Sequence, residues 1–216
     1  MKTAEQLPKP PGPPRMPKTL LTWGNSKMGH LAIFNLPPTM TCTPTAWCLT
    51  GRNGKPFCYA LRGNHTRLSV QDSWRWRYEQ SLGDDFVDRV IEELAAAGLP
   101  YCRVHSTGDF YGREYIGKWA RIAKACPGVK FRTSTRRRDF TAELQCLNAL
   151  PNFVIRESLD TERRCPAMGL PVAAIADLPA AEYADKPAEV YHCPNHCPSC
   201  GYHCWLERCD VSFEVH

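Results

Sequence analysis

Long apolar runs are missing from this sequence. Nothing in its 216 residues approaches the roughly 18 consecutive apolar residues of a membrane-spanning helix, so no membrane segment is expected. The N-terminus, MKTAEQLPKPPGPPRMPK, has basic residues but no apolar core behind them, so no export signal is expected either. A cytoplasmic protein is the reading that follows, and there thiols stay reduced. A strong charge of one sign is also missing. Twenty-seven basic residues against 22 acidic ones leave +5, which permits a nucleic-acid partner without arguing for one. The hydrophobic share of 43% is that of an ordinary globular chain. The length suffices for one domain with a real core and is short for two.

What the chain has in excess is cysteine. Twelve are present, and five of them lie in HCPNHCPSCGYHCWLERC, residues 192–209. In a reducing compartment, clustered cysteines read as metal ligands and not as disulfides. Cys193, Cys197, Cys200 and Cys204 follow a C-x3-C-x2-C-x3-C rhythm, with Cys209 to spare. Four thiolates at that spacing suit a tetrahedral zinc site or an iron–sulfur cube, and spacing does not separate the two. A second group lies upstream in CTPTAWCLTGRNGKPFCYA, where five and nine residues separate Cys42, Cys48 and Cys58. Three thiolates suit a [4Fe-4S] cluster with one open iron, or a catalytic zinc with one open position. Taken alone, they read equally well as buried free cysteines.

The rest of the chain alternates. Residues 1–18, rich in Pro and Lys, read as an extended tail. HLAIFNL reads as a strand, SWRWRYEQSL as a short helix, and GDDFVDRVIEELAAAG as the clearest helix, with Phe86, Val87, Val90, Ile91 and Leu94 at helical spacing and Gly98 as its stop. Then YCRVHSTGDF, VKFRTSTRRRDF and NFVIRESLD each read as a strand with a polar end; the first two run into the helices REYIGKWARIAKAC and TAELQCLNAL, and PVAAIA is a fourth strand. Strands and helices alternating in this way imply an α/β fold with a parallel sheet, either doubly wound or an open, partial (β/α) barrel. In both, functional groups gather where strands end. The ends HSTGD, TSTRRR and RESLD carry hydroxyls, charges and a glycine, which suits a small-molecule site; the same residue types also cap helices.

The cysteine groups, the strand ends VHSTGDF, VKFRTSTRR and VIRESLD, the helix EYIGKWARIA and the terminal cysteines, over about residues 30–206, resemble the phage and bacterial Gene product 88 family. That family is in turn distantly similar to radical S-adenosylmethionine (SAM) proteins. The resemblance implies a partial (β/α) barrel at 19–185 with a three-cysteine loop, and a Cys-rich metal-binding segment at 186–216 packed on the same domain. It implies that Cys42, Cys48 and Cys58 bind a [4Fe-4S] cluster whose fourth iron chelates SAM, with Phe57 beside the adenine. Ser106, Gly108 and Asp109 would form the SAM-binding loop. Ser134 or Ser158, with Arg132 or Arg156, would hold its carboxylate, a planar anion that arginine suits. The implied chemistry is one-electron reductive cleavage of SAM, fed by an external electron donor, on an unknown substrate, with nucleic-acid-related compounds among the candidates. The C-terminal cysteines would hold a second cluster or zinc. The loop here reads C-x5-C-x9-C, where radical SAM loops most often read C-x3-C-x2-C.

Two other readings compete. One is a zinc-stapled base-modifying barrel of the transglycosylase type, with Asp109 or Asp160 as nucleophile or acid and the arginines at 136–138 on a nucleic-acid backbone. The other is a zinc-bearing nucleic-acid-binding module in which Trp23, Trp47, Trp74 and Trp76 stack bases between Arg75 and Arg77. The plain alternative for WRWR is an amphipathic helix with Trp inward and Arg outward.

Overall fold

The computed structural model describes residues 19–51 and 54–214; the expected tail at 1–18 lies outside them. Eight strands form one sheet: β1 (Thr22–Trp23), β2 (Ala32–Phe34), β3 (Tyr101–Val104), β4 (Lys130–Thr135), β5 (Phe153–Leu159), β6 (Val172–Ile175), β7 (Tyr191–His192) and β8 (Val211–Phe213). Their spatial order is β1-β2-β3-β4-β5-β6-β8-β7. Only β1, which makes a hairpin with β2, is antiparallel. The fold is therefore mixed α/β on a mostly parallel sheet, as the alternation implied. The sheet does not close, because β1 and β7 are its two edges.

Sequential neighbours joined by crossovers of one hand put their helices on one face of a sheet. That face holds the larger core, where Phe34, Val104, Phe131, Phe153 and Ile155 meet α4 (Phe86–Ala97), α5 (Arg113–Ala125) and α6 (Thr141–Asn148). In α4 the predicted stripe is in place: Phe86, Val87, Val90 and Leu94 are buried, and Gly98 ends the helix at φ 60 with its N–H on the Leu94 carbonyl. α3 (Leu68–Leu82) is longer than the sequence pattern implied. Its C-terminus is held by Lys118, whose Nζ donates to the carbonyls of Ser81, Leu82 and Gly83 at 3.1, 3.1 and 3.0 Å.

WRWR is only partly the amphipathic pattern. Trp74 is buried and Arg75 exposed, but Arg77 is buried as well, with Nε on the Leu20 carbonyl at 2.6 Å. A base-stacking platform needs exposed rings. Trp47 and Trp74 are in the interior, Trp76 packs on the core, and Trp23 is exposed. No helix among the described residues is long and apolar enough to cross a membrane.

The opposite face of the sheet is covered by the cysteine-rich C-terminus. Alternation sends Leu31, Ile33 and Tyr101 to this side, where they meet Cys204, Trp205, Tyr202 and Val211. Tyr101 stacks on Tyr202 with centroids 4.1 Å apart, and Trp205 Nε1 donates to the Cys102 carbonyl at 3.1 Å. The segment is not merely laid on the sheet, since it contributes β7 and β8 to it.

Its main fastener is Arg156 on β5. This fully buried side chain donates from Nε to the Cys209 carbonyl (3.0 Å), from one terminal nitrogen to Cys204 (2.8 Å) and from the other to Glu207 (2.6 Å). Hydrogen bonds to charged groups contribute about 1.5–3 kcal/mol each, and losing the donor leaves buried carbonyls unsatisfied. Arg156→Met is expected to lower stability by about 3 kcal/mol or more and to raise the alkylation rate of Cys204 well before global unfolding. Parallel thermal melts and thiol-labelling kinetics check this; an unchanged labelling rate would show that the segment is held elsewhere.

Candidate functional site

The upstream cysteines sit on short elements that the strand ends hold in place. α1 (Pro38–Thr41) follows β2, and Cys42 is the residue just beyond it. α2 (Ala46–Thr50) carries Cys48 in its first turn, capped by Thr45, whose Oγ1 accepts from the Cys48 N–H at 3.3 Å. Glu162 accepts from the N–H groups of Ala46 and Trp47 at 3.0 and 2.5 Å, a carboxylate at a helix start where its charge is favoured. The chain then returns so that the Cys58 N–H donates to the Cys48 carbonyl at 3.1 Å.

The three thiols lie within electrostatic reach of one another, each raising the cost of ionising the next. Burial is the larger cause and pushes Cys42 well above the ordinary thiol range, with Asp109 adding to it and Arg136 opposing. Among the described residues, no three His, Cys, Asp or Glu side chains converge tightly enough to hold a single metal ion. All twelve cysteines are free thiols.

The ends of β3, β4 and β5 meet under this loop. Arg136, just past β4, donates to Cys48 Sγ at 2.9 Å and to Thr45 Oγ1 at 3.1 Å, and pairs with Asp160, just past β5. Asp160 is fully buried and also accepts from Thr45 Oγ1 (2.8 Å) and from the N–H groups of Glu162 and Arg163 (2.9 Å each). Burial raises its pKa, but Arg136 and these hydrogen bonds outweigh it, so the carboxyl is held below its ordinary value and stays ionised.

Asp109 has a different balance. It accepts from Thr135 Oγ1 (2.6 Å) and from the N–H groups of Arg136 (2.9 Å) and Phe110 (2.8 Å), while its own N–H donates to Thr41 Oγ1 (3.1 Å). Burial nevertheless wins and pushes its pKa up to about 6. Both aspartates named from the sequence are thus buried connectors between loops.

The other expected site residues divide. Phe57 packs on Trp47, ring centroids 3.5 Å apart. Gly108, at φ +83, is a glycine because a Cβ there would lie 2.6 Å from Leu36 Cβ and 2.8 Å from the Leu36 carbonyl oxygen. Its open side is filled by the chain itself. Ser106 accepts through its carbonyl from the Tyr59 hydroxyl, while its own Oγ is buried without a partner. Arg132 stands over the Trp205 ring, 5.3 Å from its centroid, with Nε buried and unpartnered. Ser134 and Ser158 are half-buried on the same face as Arg132 and Arg156. Arg156, expected as a carboxylate ligand, is instead the fastener described above. The loop arginines, expected on a nucleic-acid backbone, are tied inward or to neighbours: Arg137 to Asp139 and the Phe110 carbonyl, Arg138 to Glu157 and the Cys165 carbonyl.

Tyr59, Thr45 and Arg103 had no signal in the sequence beyond adjacency to named residues. His105 was missed for the same reason. It is buried in the left-handed region at φ 59, with Nε2 against the Tyr115 hydroxyl at 2.7 Å and Nδ1 unpartnered; burial lowers its pKa to about 3, so it is neutral.

Around the four downstream cysteines three left-handed residues, Asn195 (φ 60), Gly201 (φ 61) and Tyr202 (φ 58), turn the chain back on itself. Cys193 continues from β7 with its N–H on the Ser212 carbonyl (2.8 Å), and Cys197 donates to the Lys27 carbonyl (2.8 Å). Cys204 is buried in α7 (His203–Leu206). Cys193 and Cys197 each feel the charges of Cys200 and Cys204, and burial raises Cys197 to about 11. Arg132 opposes this at both. Cys209 stands apart, with Sγ 3.2 Å from His203 Nε2.

A family model described as Gene product 88 matches residues 3–191. The chain belongs to the Gene product 88 family. The match takes in the three upstream cysteines and every strand end of the site, and stops short of Cys193. No curated protein and no solved structure matches the chain.

Asp109 gives this family member a testable pH signature. Its carboxyl keeps a proton in the native state from about pH 4 to about pH 6, where the unfolded chain has released it. More protons bound in the native state means that this group lowers stability as pH rises through that window. Asp109→Asn is expected to lack the decline, so that the difference in unfolding free energy between the two proteins changes by about 3 kcal/mol from pH 4 to pH 7. Urea denaturation across that range measures it; parallel pH profiles would show that Asp109 is ionised throughout.

Proposed function

We propose that this Gene product 88 protein is an iron–sulfur enzyme of the radical SAM type, built on an open, partial (β/α) barrel. Cys42, Cys48 and Cys58 are the residues that would hold a [4Fe-4S] cluster with one iron left for SAM. Cys193, Cys197, Cys200 and Cys204 would hold a second metal centre, a cluster or zinc. The chemistry such a group supplies when bound is one-electron reductive cleavage of SAM, with an external donor replacing the electron. The observation that carries the reading is the gathering of the three upstream thiols at the C-terminal edge of the parallel strands, with the Arg136 cation on Cys48 Sγ. That is the edge at which α/β sheets assemble their sites.

The chain's own residues have definite tasks there. Arg136 places a guanidinium N–H on Cys48 Sγ, so a cation stands at the thiol that would ligate metal. Asp160 and Thr45 hold Arg136 in that position, and Asp109 locks the loop after β3 to the end of β4. Tyr59 ties the residue after Cys58 to Ser106, and so to the loop expected to meet SAM. In this reading the two aspartates are positioning groups. The zinc-stapled base-modifying reading rests on the four C-terminal thiols and leaves the upstream three without a task.

Anaerobic purification followed by iron, sulfide and zinc analysis, with a spectrum near 400 nm, tests the proposal. Two cubanes would give about eight iron and eight sulfide per chain; one cubane with a zinc staple would give about four of each plus one zinc. Zinc alone overturns it. Cys58→Ala is expected to remove one cluster and SAM cleavage while the C-terminal metal stays.

A further inference from the structure

Arg103 and Arg132 are register partners on adjacent parallel strands, so their side chains leave the same face of the sheet. Neighbouring parallel strands are about 4.8 Å apart, and like charges directly opposite one another on a sheet are destabilising. One terminal nitrogen of Arg103 and Nε of Arg132 are buried without a hydrogen-bond partner, and neither side chain is in an ion pair among the described residues. Arg156, also within electrostatic reach of Arg132, shows the contrast: three carbonyls occupy its guanidinium. A buried charge without a partner is costly, and a guanidinium with free N–H groups is a fork for an oxyanion.

The position of the pair is specific. Arg132 lies within electrostatic reach of Tyr59, beside Cys58, and also of Cys193 and Cys197. It is thus within electrostatic reach of a residue from each cysteine-bearing segment. Tyr59 in turn bonds the Ser106 carbonyl, and the Ser106 hydroxyl is a third buried polar group without a partner. The Trp205 ring under Arg132 satisfies part of its charge but none of its N–H groups.

We propose that Arg103, Arg132 and Ser106 form an oxyanion-binding subsite at the face of the sheet that the C-terminal segment covers, which takes the carboxylate or phosphate of a small anionic substrate. The two guanidinium groups supply charge and unpartnered N–H donors, and Ser106 adds a hydroxyl donor. Arg103 is the discriminating member, because no other contact in the site depends on it. The subsite stands on the sheet register and the unpartnered donors, so it holds whether the thiols carry iron or zinc.

The test uses the full-length, metal-loaded protein, titrated calorimetrically with inorganic phosphate and separately with acetate, at constant ionic strength maintained with chloride. Saturable binding of at least one anion is expected, tighter for the group the substrate carries, and weakened at least tenfold in Arg103→Gln and measurably in Ser106→Ala, with metal content unchanged. Arg132→Gln is read only alongside its melting curve, because Trp205 packs on Arg132. The proposal is overturned if neither anion binds saturably, or if Arg103→Gln binds as wild type does. It is also overturned if Arg103→Gln loses C-terminal metal, since the thiolates would then be the counter-ion of the pair.

Discussion

The buried ion pair of Arg136 and Asp160 is the contact through which the ends of two strands become one site. Asp160 follows β5 and Arg136 follows β4; Thr45 of the cysteine loop bonds both side chains, and Cys48 bonds Arg136. Removing one member of such a pair leaves the other charged and buried, which is why these arrangements are all-or-none. With it in place, α2 starts at Thr45 and Cys48 faces the strand ends. A five-residue helix has no stability of its own, so α2 depends on these contacts and on Glu162 at its start.

A second arginine does the corresponding work on the other side of the molecule. Arg156 directs its guanidinium to three carbonyls of the C-terminal segment, and Trp205 and Tyr202 of that segment pack on the sheet around Tyr101. Arg132 is thereby within electrostatic reach of both Tyr59 and Cys193, 134 positions apart in the chain. The sheet is the common support. One face carries the packed helices, and the other carries a layer of arginines, serines and thiols. Polar groups on that layer are affordable only where each finds a partner, and the unpartnered donors of Arg103, Arg132 and Ser106 mark where a ligand would supply one.

Much of the fold was legible in the chain. The stripe Phe86, Val87, Val90, Leu94 with its terminal Gly98 specified α4, and alternation of strands with helices specified a mostly parallel sheet. Local patterns of this kind depend on which residues share a face, and periodicity records that directly. The strands β1, β7 and β8 were not legible, because two or three residues are too few to show a period. Arg77 and Arg156 also escaped, because a charged residue reads as exposed until a distant carbonyl is found for it.

By itself the sequence determined the inventory: twelve cysteines in two main groups, three polar strand ends, and a helix-and-sheet rhythm that gathers those ends on one edge. Tertiary structure alone decided which charges are spent and which are available. Arg156, Arg136, Arg137 and Arg138 look equivalent to Arg132 and Arg103 along the chain, yet the first four are satisfied inside the protein and the last two are left with unpartnered donors. The reason is that a hydrogen bond depends on distance in space, and the partners of these arginines come from segments far away in sequence.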